Sequence, residues 1–141
     1  MRLYILLALL IISKGTLAKT IQIEFTENDS YSIEVAFIDV GDTIEWLPKN
    51  KGHNVEFLVG PDMDTLPNNS TINEFHSVLF KTQGVYLYGC TPHLNMGMLG
   101  LIVVNNDFHN LEKVNKVELS YVANSVVDRL IKISQRSESV V

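Results

Sequence analysis

An all-β sandwich or barrel, followed by a helical C-terminal extension, is the fold this sequence predicts. Three observations carry it. Short apolar stretches recur between turn residues from Ile21 to Val104. The first of them alternate with a period of two. After Asn110 the apolar spacing changes to threes and fours. A chain of 141 residues can bury a core of its own, and with 46% hydrophobic and 19% charged residues disorder is excluded for most of it.

The elements follow in order. Ile21, Ile23 and Phe25 alternate with Gln22 and Glu24, the pattern of a half-buried strand. Ile33, Val35 and Phe37 alternate in the same way. Val40-Gly41-Asp42 is a turn signal, and Thr43 to Leu47 is a strand stopped by Pro48. Val55 to Val59 follows. Gly60 to Ser70, with Pro61 and Pro67, reads as a long loop. Phe75 to Phe80 is extended until Gly84 breaks it, and Val85 to Tyr88 and Leu99 to Val104 complete seven or eight strands. Leu111, Val114, Val117 and Leu119, then Val122, Val126, Val127, Leu130, Ile131 and Ile133, give one or two amphipathic helices. Asp107 or Asn110 is positioned to cap the first and Ser120 the second. Their apolar faces need cover, so they are expected to pack on the sandwich.

Residues 1–18 read as a secretory signal peptide. Arg2 gives the positive start, Leu3 to Ile12 the apolar run, and Thr16-Leu17-Ala18 the small residues of a cleavage site. The run is half the length of a membrane span. An uncleaved anchor is the competing reading. The mature chain then starts near Lys19 and forms a single domain, 19–141, with the β part over 19–105 and the helical extension over 106–141. Without Arg2 and Lys14 the 11 basic residues fall to nine against 16 acidic ones, and the net charge from −5 to −7. Nucleic-acid binding is excluded on that balance.

An exported protein usually pairs its cysteines, and this one has a single cysteine, Cys90. Its neighbours give it chemistry. In Gly89-Cys90-Thr91-Pro92-His93-Leu94-Asn95-Met96-Gly97-Met98 a thiolate, an imidazole and a thioether fall within one short loop. His53, in Lys51-Gly52-His53-Asn54-Val55, supplies a second imidazole. Two His, one Cys and a weak axial Met form the type 1, or blue, copper donor set, in which soft sulfur suits Cu(I) and imidazole suits both oxidation states. Met96 competes with Met98 as the axial donor. Taken singly, His53 reads as a hydrogen-bonded histidine, Cys90 as a small buried hydrophobe and Met98 as core; the joint spacing sets them apart. His76 and His109 have no partner at useful spacing and read as structural or exposed. Trp46, Tyr86 and Tyr88 read as core.

At these residues the chain resembles the cupredoxins, the plastocyanin and azurin relatives, and within them the pseudoazurins. The matching segments are Val40-Gly41-Asp42-Thr43, Pro48 with Lys51 to Glu56, Ile72-Asn73-Glu74, Gly84-Val85-Tyr86, Cys90-Thr91-Pro92-His93 with Met96-Gly97-Met98, and Asn110 to Val114. The resemblance implies an all-β Greek-key sandwich, cupredoxin-like, with a two-helix C-terminal extension and one copper ion. It implies binding through Nδ1 of His53 and His93, the Cys90 thiolate and a long bond to Met98. It further implies that Asn54 links the ligand loops through Thr91, that the amides of Asn54 and Met98 donate to the Cys90 sulfur, and that the exposed edge of His93 is an electron port collared by Pro92, Leu94 and Met96.

The function implied is soluble, periplasmic, one-electron transport by a monomer. Expected partners are redox proteins such as copper nitrite reductase, nitrous-oxide reductase or a c-type cytochrome. Lys49, Lys51 and Lys81 are the candidate docking lysines. Gly89 stands where the family often has Lys, and Leu94 where an aromatic is common. A copper chaperone or storage protein is the alternative, and a structural zinc site is disfavoured by Met98. No catalytic residue is expected, because four protein donors leave no place for a substrate, and four histidines are too few for a second copper centre.

Overall fold

The computed structural model describes residues 15–138. Most of the predicted leader lies outside the described residues. Seven strands form: β1 Thr20–Glu24, β2 Val35–Ile38, β3 Thr43–Leu47, β4 Glu56–Val59, β5 His76–Leu79, β6 Gly84–Gly89 and β7 Leu99–Val104. Two helices follow, α1 Leu111–Asn115 and α2 Tyr121–Glu138. The strands make two sheets, β1-β3-β5 and β2-β7-β6-β4, so the sandwich forms and the barrel alternative does not. Up to β6 the chain changes sheet at every step, which makes the connections Greek-key. The pairs β1–β3 and β2–β7 are parallel, and the others antiparallel.

The molecule has three layers. Between the sheets lie Ile23, Phe25, Tyr31, Ile44, Trp46, Phe57, Phe80, Tyr86, Tyr88 and Ile102. A second core fills the space between the outer face of the larger sheet and the helices. It joins Val85, Leu87, Leu99, Leu101 and Val103 to Val114, Ala123, Val127, Leu130 and Ile131. This explains why β6 and β7 are buried along their whole length, and why they read as apolar runs rather than as alternations. Each such fully buried side chain contributes about 1.5–3 kcal/mol.

The second core also corrects the reading of β2. Ala36 and Ile38 point between the sheets, whereas Val35 and Phe37 pack under the helices. The period was legible; which face met which core was not.

The helix caps divide. Ser120 caps α2 as expected, its hydroxyl accepting from the Ala123 N–H at 3.1 Å. Asn110 stands at the cap position of α1 but makes no side-chain cap bond. Its amide instead serves β6: the Val85 N–H donates to Asn110 Oδ1, and Asn110 Nδ2 donates to the Val85 carbonyl, both at 2.8 Å. β4 pairs with β6 only from Leu87 onward, so Asn110 takes the place of the missing strand. In the turn before β3, the buried Asp42 carboxylate accepts from the backbone N–H groups of Lys19 and Asp39, each at 2.8 Å, which holds its pKa below the usual range.

Candidate metal centre

Two loops at one end of the sandwich bring the donors together. The first leads into β4. Pro48 ends β3 and Gly52 turns the chain at φ 92°. Asn73 then fixes the loop: its Oδ1 accepts from the Gly52 N–H at 2.6 Å and its own N–H donates to the His53 carbonyl at 2.9 Å. The second loop closes the β6–β7 hairpin. The Cys90 N–H donates to the Met98 carbonyl at 3.0 Å, continuing the ladder past the Gly89–Leu99 pair. Residues Thr91–Met96 form a 3₁₀ turn, and Gly97 ends it at φ 91°, a left-handed conformation suited to glycine.

The geometry unites His53, Cys90 and His93, whose ligand atoms all lie within 4.8 Å of one another. The two Nδ1 atoms are 3.1 Å apart, and Cys90 Sγ is 3.8 Å from that of His53 and 3.5 Å from that of His93. Two nitrogens and a sulfur facing each other this closely need a proton or a cation among them, and one soft cation satisfies all three. Met98 lies in the same buried cluster as Cys90 and is 1% exposed, whereas Met96 is 62% exposed. Burial therefore favours Met98 over Met96 as the thioether of the centre.

Electrostatics prepare these groups for a metal. Burial lowers the pKa of His53 and so favours the neutral imidazole, helped by His93 and opposed by Asp29. Burial raises the pKa of Cys90, and Asp29 and Glu56 add to it, while the backbone N–H groups of Asn54 and His93 pull it down. A cation at the sulfur then supplies the charge that the thiolate needs. The Met98 amide, expected at the sulfur, donates to the His93 carbonyl instead at 3.2 Å, because the 3₁₀ turn closes on it. The His93 N–H donates to the Cys90 carbonyl at 3.1 Å.

Asn54 does link the loops. Its Nδ2 donates to Thr91 Oγ1 at 2.8 Å, and its Oδ1 accepts from the Thr91 N–H at 2.7 Å. The Thr91 hydroxyl donates onward to Glu56 at 2.7 Å, and the Tyr31 hydroxyl donates to the Asn54 carbonyl at 2.8 Å.

His93 keeps 22% of its side chain exposed, with Pro92 and Met96 exposed beside it. Leu94 packs against the outer core instead of completing the collar, in room that Gly89 leaves: a Cβ at Gly89 would stand 2.7 Å from Leu94 Cδ1. Gly89 and Leu94 thus fit one another. Lys49 and Lys51 are exposed near the centre, but Lys81 precedes Gly84, at the end of β6 remote from Cys90. His76 bonds to the Asn68 carbonyl and His109 to Asp107, so neither joins the centre.

One residue was not anticipated. Asp29 Oδ1 lies 3.6 Å from His53 Nε2 and 3.8 Å from His93 Nε2. It sits far upstream among turn residues, and no spacing rule points to it.

Comparison with known proteins agrees with this geometry. Residues 18–105 match the family of copper binding proteins described as the plastocyanin/azurin family. Pseudoazurin from Paracoccus pantotrophus is 32% identical over 109 residues, which cover 72% of each chain. Pseudoazurin from Methylorubrum extorquens is 37% identical over 91 residues, 64% of this chain but only 62% of that protein's length. The crystal structure of pseudoazurin from Methylobacterium extorquens AM1 superposes with a TM-score of 0.71 at 28% identity, over 81% of this chain and 98% of that one. Two imidazoles, a thiol and a buried thioether fit copper, and copper is the metal of the family. The family match over residues 18–105, the sequence identity and the shared fold lead to one conclusion: this chain belongs to the plastocyanin/azurin family of copper-binding proteins and, within it, to the pseudoazurins.

Proposed function

We propose that the protein is a periplasmic one-electron carrier whose single type 1 copper is held by Nδ1 of His53 and of His93, the Cys90 thiolate and, axially, Met98. The observation that carries this reading is the convergence of three donor atoms, from two loops at one end of the sandwich, within 4.8 Å of one another. Copper bound there supplies a one-electron Cu(I)/Cu(II) couple.

The residues do the rest. Cys90 and Met98 offer soft sulfur, and His53 and His93 offer imidazoles acceptable to both oxidation states. The Asn54–Thr91 link and the hairpin hold the donors in one arrangement, so that little moves when the charge changes. Burial of His53, Cys90 and Met98 keeps water out. The partly exposed edge of His93 is the port through which the electron passes. With four protein donors no position is left for a substrate, so the protein is a carrier and not an enzyme.

The carrier is a monomer with one domain over residues 19–141, exported through the leader 1–18. Among the described residues no helix is long and apolar enough to cross a membrane. Its partners are redox proteins, of which copper nitrite reductase, nitrous-oxide reductase and c-type cytochromes are the candidates, docking over His93, Pro92 and Met96 with Lys49 and Lys51 at the rim.

The test is the visible spectrum of the mature chain from Lys19 after addition of Cu(II), with and without ascorbate. The reading expects an intense orange-red absorption that bleaches on reduction and returns on oxidation. Cys90→Ala should lack it entirely. A colourless wild-type protein, or one that takes only zinc, would overturn the proposal.

A further inference from the structure

The turn after β1 is closed on itself. The Thr26 N–H donates to the Ser30 carbonyl at 2.9 Å, and the hydroxyls of these two residues are 2.6 Å apart. Phe25 bridges Tyr31 across the base of the turn, and both are buried in the core. Within this turn Asp29 adopts φ 52°, a left-handed conformation that Asp tolerates better than most residues. Its carboxylate is thereby brought to the two histidines. A single oxygen, Oδ1, stands 3.6 Å from Nε2 of His53 and 3.8 Å from Nε2 of His93. These separations are longer than direct hydrogen bonds. Each imidazole thus turns Nδ1 toward Cys90 and the other nitrogen toward one shared carboxylate oxygen.

Resting on the copper reading above, we propose that Asp29 is a positioning residue for both histidines at once and that its charge holds down the reduction potential of the centre. A carboxylate beside Nε2 favours the tautomer that carries its proton there, which leaves the Nδ1 lone pair for the metal. Because one oxygen serves both rings, it orients them together. The negative charge also stabilises the oxidised centre more than the reduced one, since the oxidised centre is more positive by one unit. The Asp29 side chain is 42% exposed, so water screens this effect. An effect of about tenfold on the relative affinity for Cu(II) and Cu(I) remains, which corresponds to ~59 mV for a one-electron couple.

The experiment compares wild type, Asp29→Asn and Asp29→Glu. The potential is measured by optical redox titration, and Cu(I) affinity of the metal-free protein by competition with a colorimetric chelator. Asn keeps the shape and removes the charge; Glu keeps the charge on a longer arm. The proposal expects a coloured Asp29→Asn protein with a potential higher by ~59 mV and Asp29→Glu close to wild type. An Asp29→Asn protein that fails to take copper while Asp29→Glu takes it supports the positioning role in its stronger form. A coloured Asp29→Asn protein at the wild-type potential overturns the proposal. So does failure of both variants to take copper, because the turn and not the carboxylate would then be holding the rings. A wild-type protein that never colours refutes the copper centre itself, a result distinct from these.

Discussion

Asn54 uses both ends of its side-chain amide on Thr91 and its backbone carbonyl on the Tyr31 hydroxyl, so one buried residue ties together the two ligand loops and the core beneath them. Asn54→Ala should leave the Thr91 N–H without its partner and cost about 1–3 kcal/mol, read as a lowered midpoint in urea unfolding. The copper band should also broaden, since the loops lose their cross-link. An unchanged midpoint would show that the hairpin alone holds the centre. At this scale the sequence is legible where chemistry restricts the residue type. A thiolate, two imidazoles and a thioether have few reasons to share such spacing, and from it the expectation of His53, Cys90, His93 and Met98 follows, of which the structure gathers the first three ligand atoms within 4.8 Å. Asp29 could not be, because its position depends on a turn folded from another part of the chain. The Met98 amide could not be placed either: it donates to the His93 carbonyl and not to the Cys90 sulfur, because the closing of the 3₁₀ turn is a matter of backbone geometry.

Among the elements, the β6–β7 hairpin and α2 meet at Gly97. It ends the 3₁₀ turn at φ 91°, and a Cβ there would stand 2.7 Å from Val126 Cγ2 on α2. Gly97→Ala therefore combines a left-handed strain with an overpacked contact, and about 1–3 kcal/mol of stability should be lost. Because Met98 follows directly, the visible spectrum should shift as well. Thermal unfolding and the absorption spectrum check both; a stable variant with an unaltered spectrum would mean that α2 yields freely. Ser120 reinforces the junction by donating to the Asn95 carbonyl at 2.9 Å while capping α2. The strands themselves were readable from apolar period and turn residues, and β3 and β7 begin and end where the pattern does. The role of Asn110 was not readable: a helix cap and a substitute for a strand both call for a side-chain amide, and only the end of β4 decides between them.

For the whole molecule, the two cores divide the work. The core between the sheets reaches Cys90 and Met98, whereas the outer core joins the larger sheet to the helices. Leu130 is fully buried in the outer core, on the same helix as Val126 but one turn farther from the ligand loop. Leu130→Ala should cost about 2–5 kcal/mol through the cavity it leaves, comparable to or larger than the loss at Gly97. Yet its copper spectrum and reduction potential should stay those of wild type, because Cys90 and Met98 belong to the core between the sheets and not to the core that holds Leu130. Measuring the thermal midpoint and the potential of the Leu130 and Gly97 variants together separates global stability from local geometry. If Leu130→Ala also moved the potential, the helical layer would act on the centre through the sheet, and the division into two cores would not hold. If only Gly97→Ala alters the spectrum, the helices influence the centre at a single contact, and the rest of the extension serves to cover an apolar sheet face that would otherwise meet water.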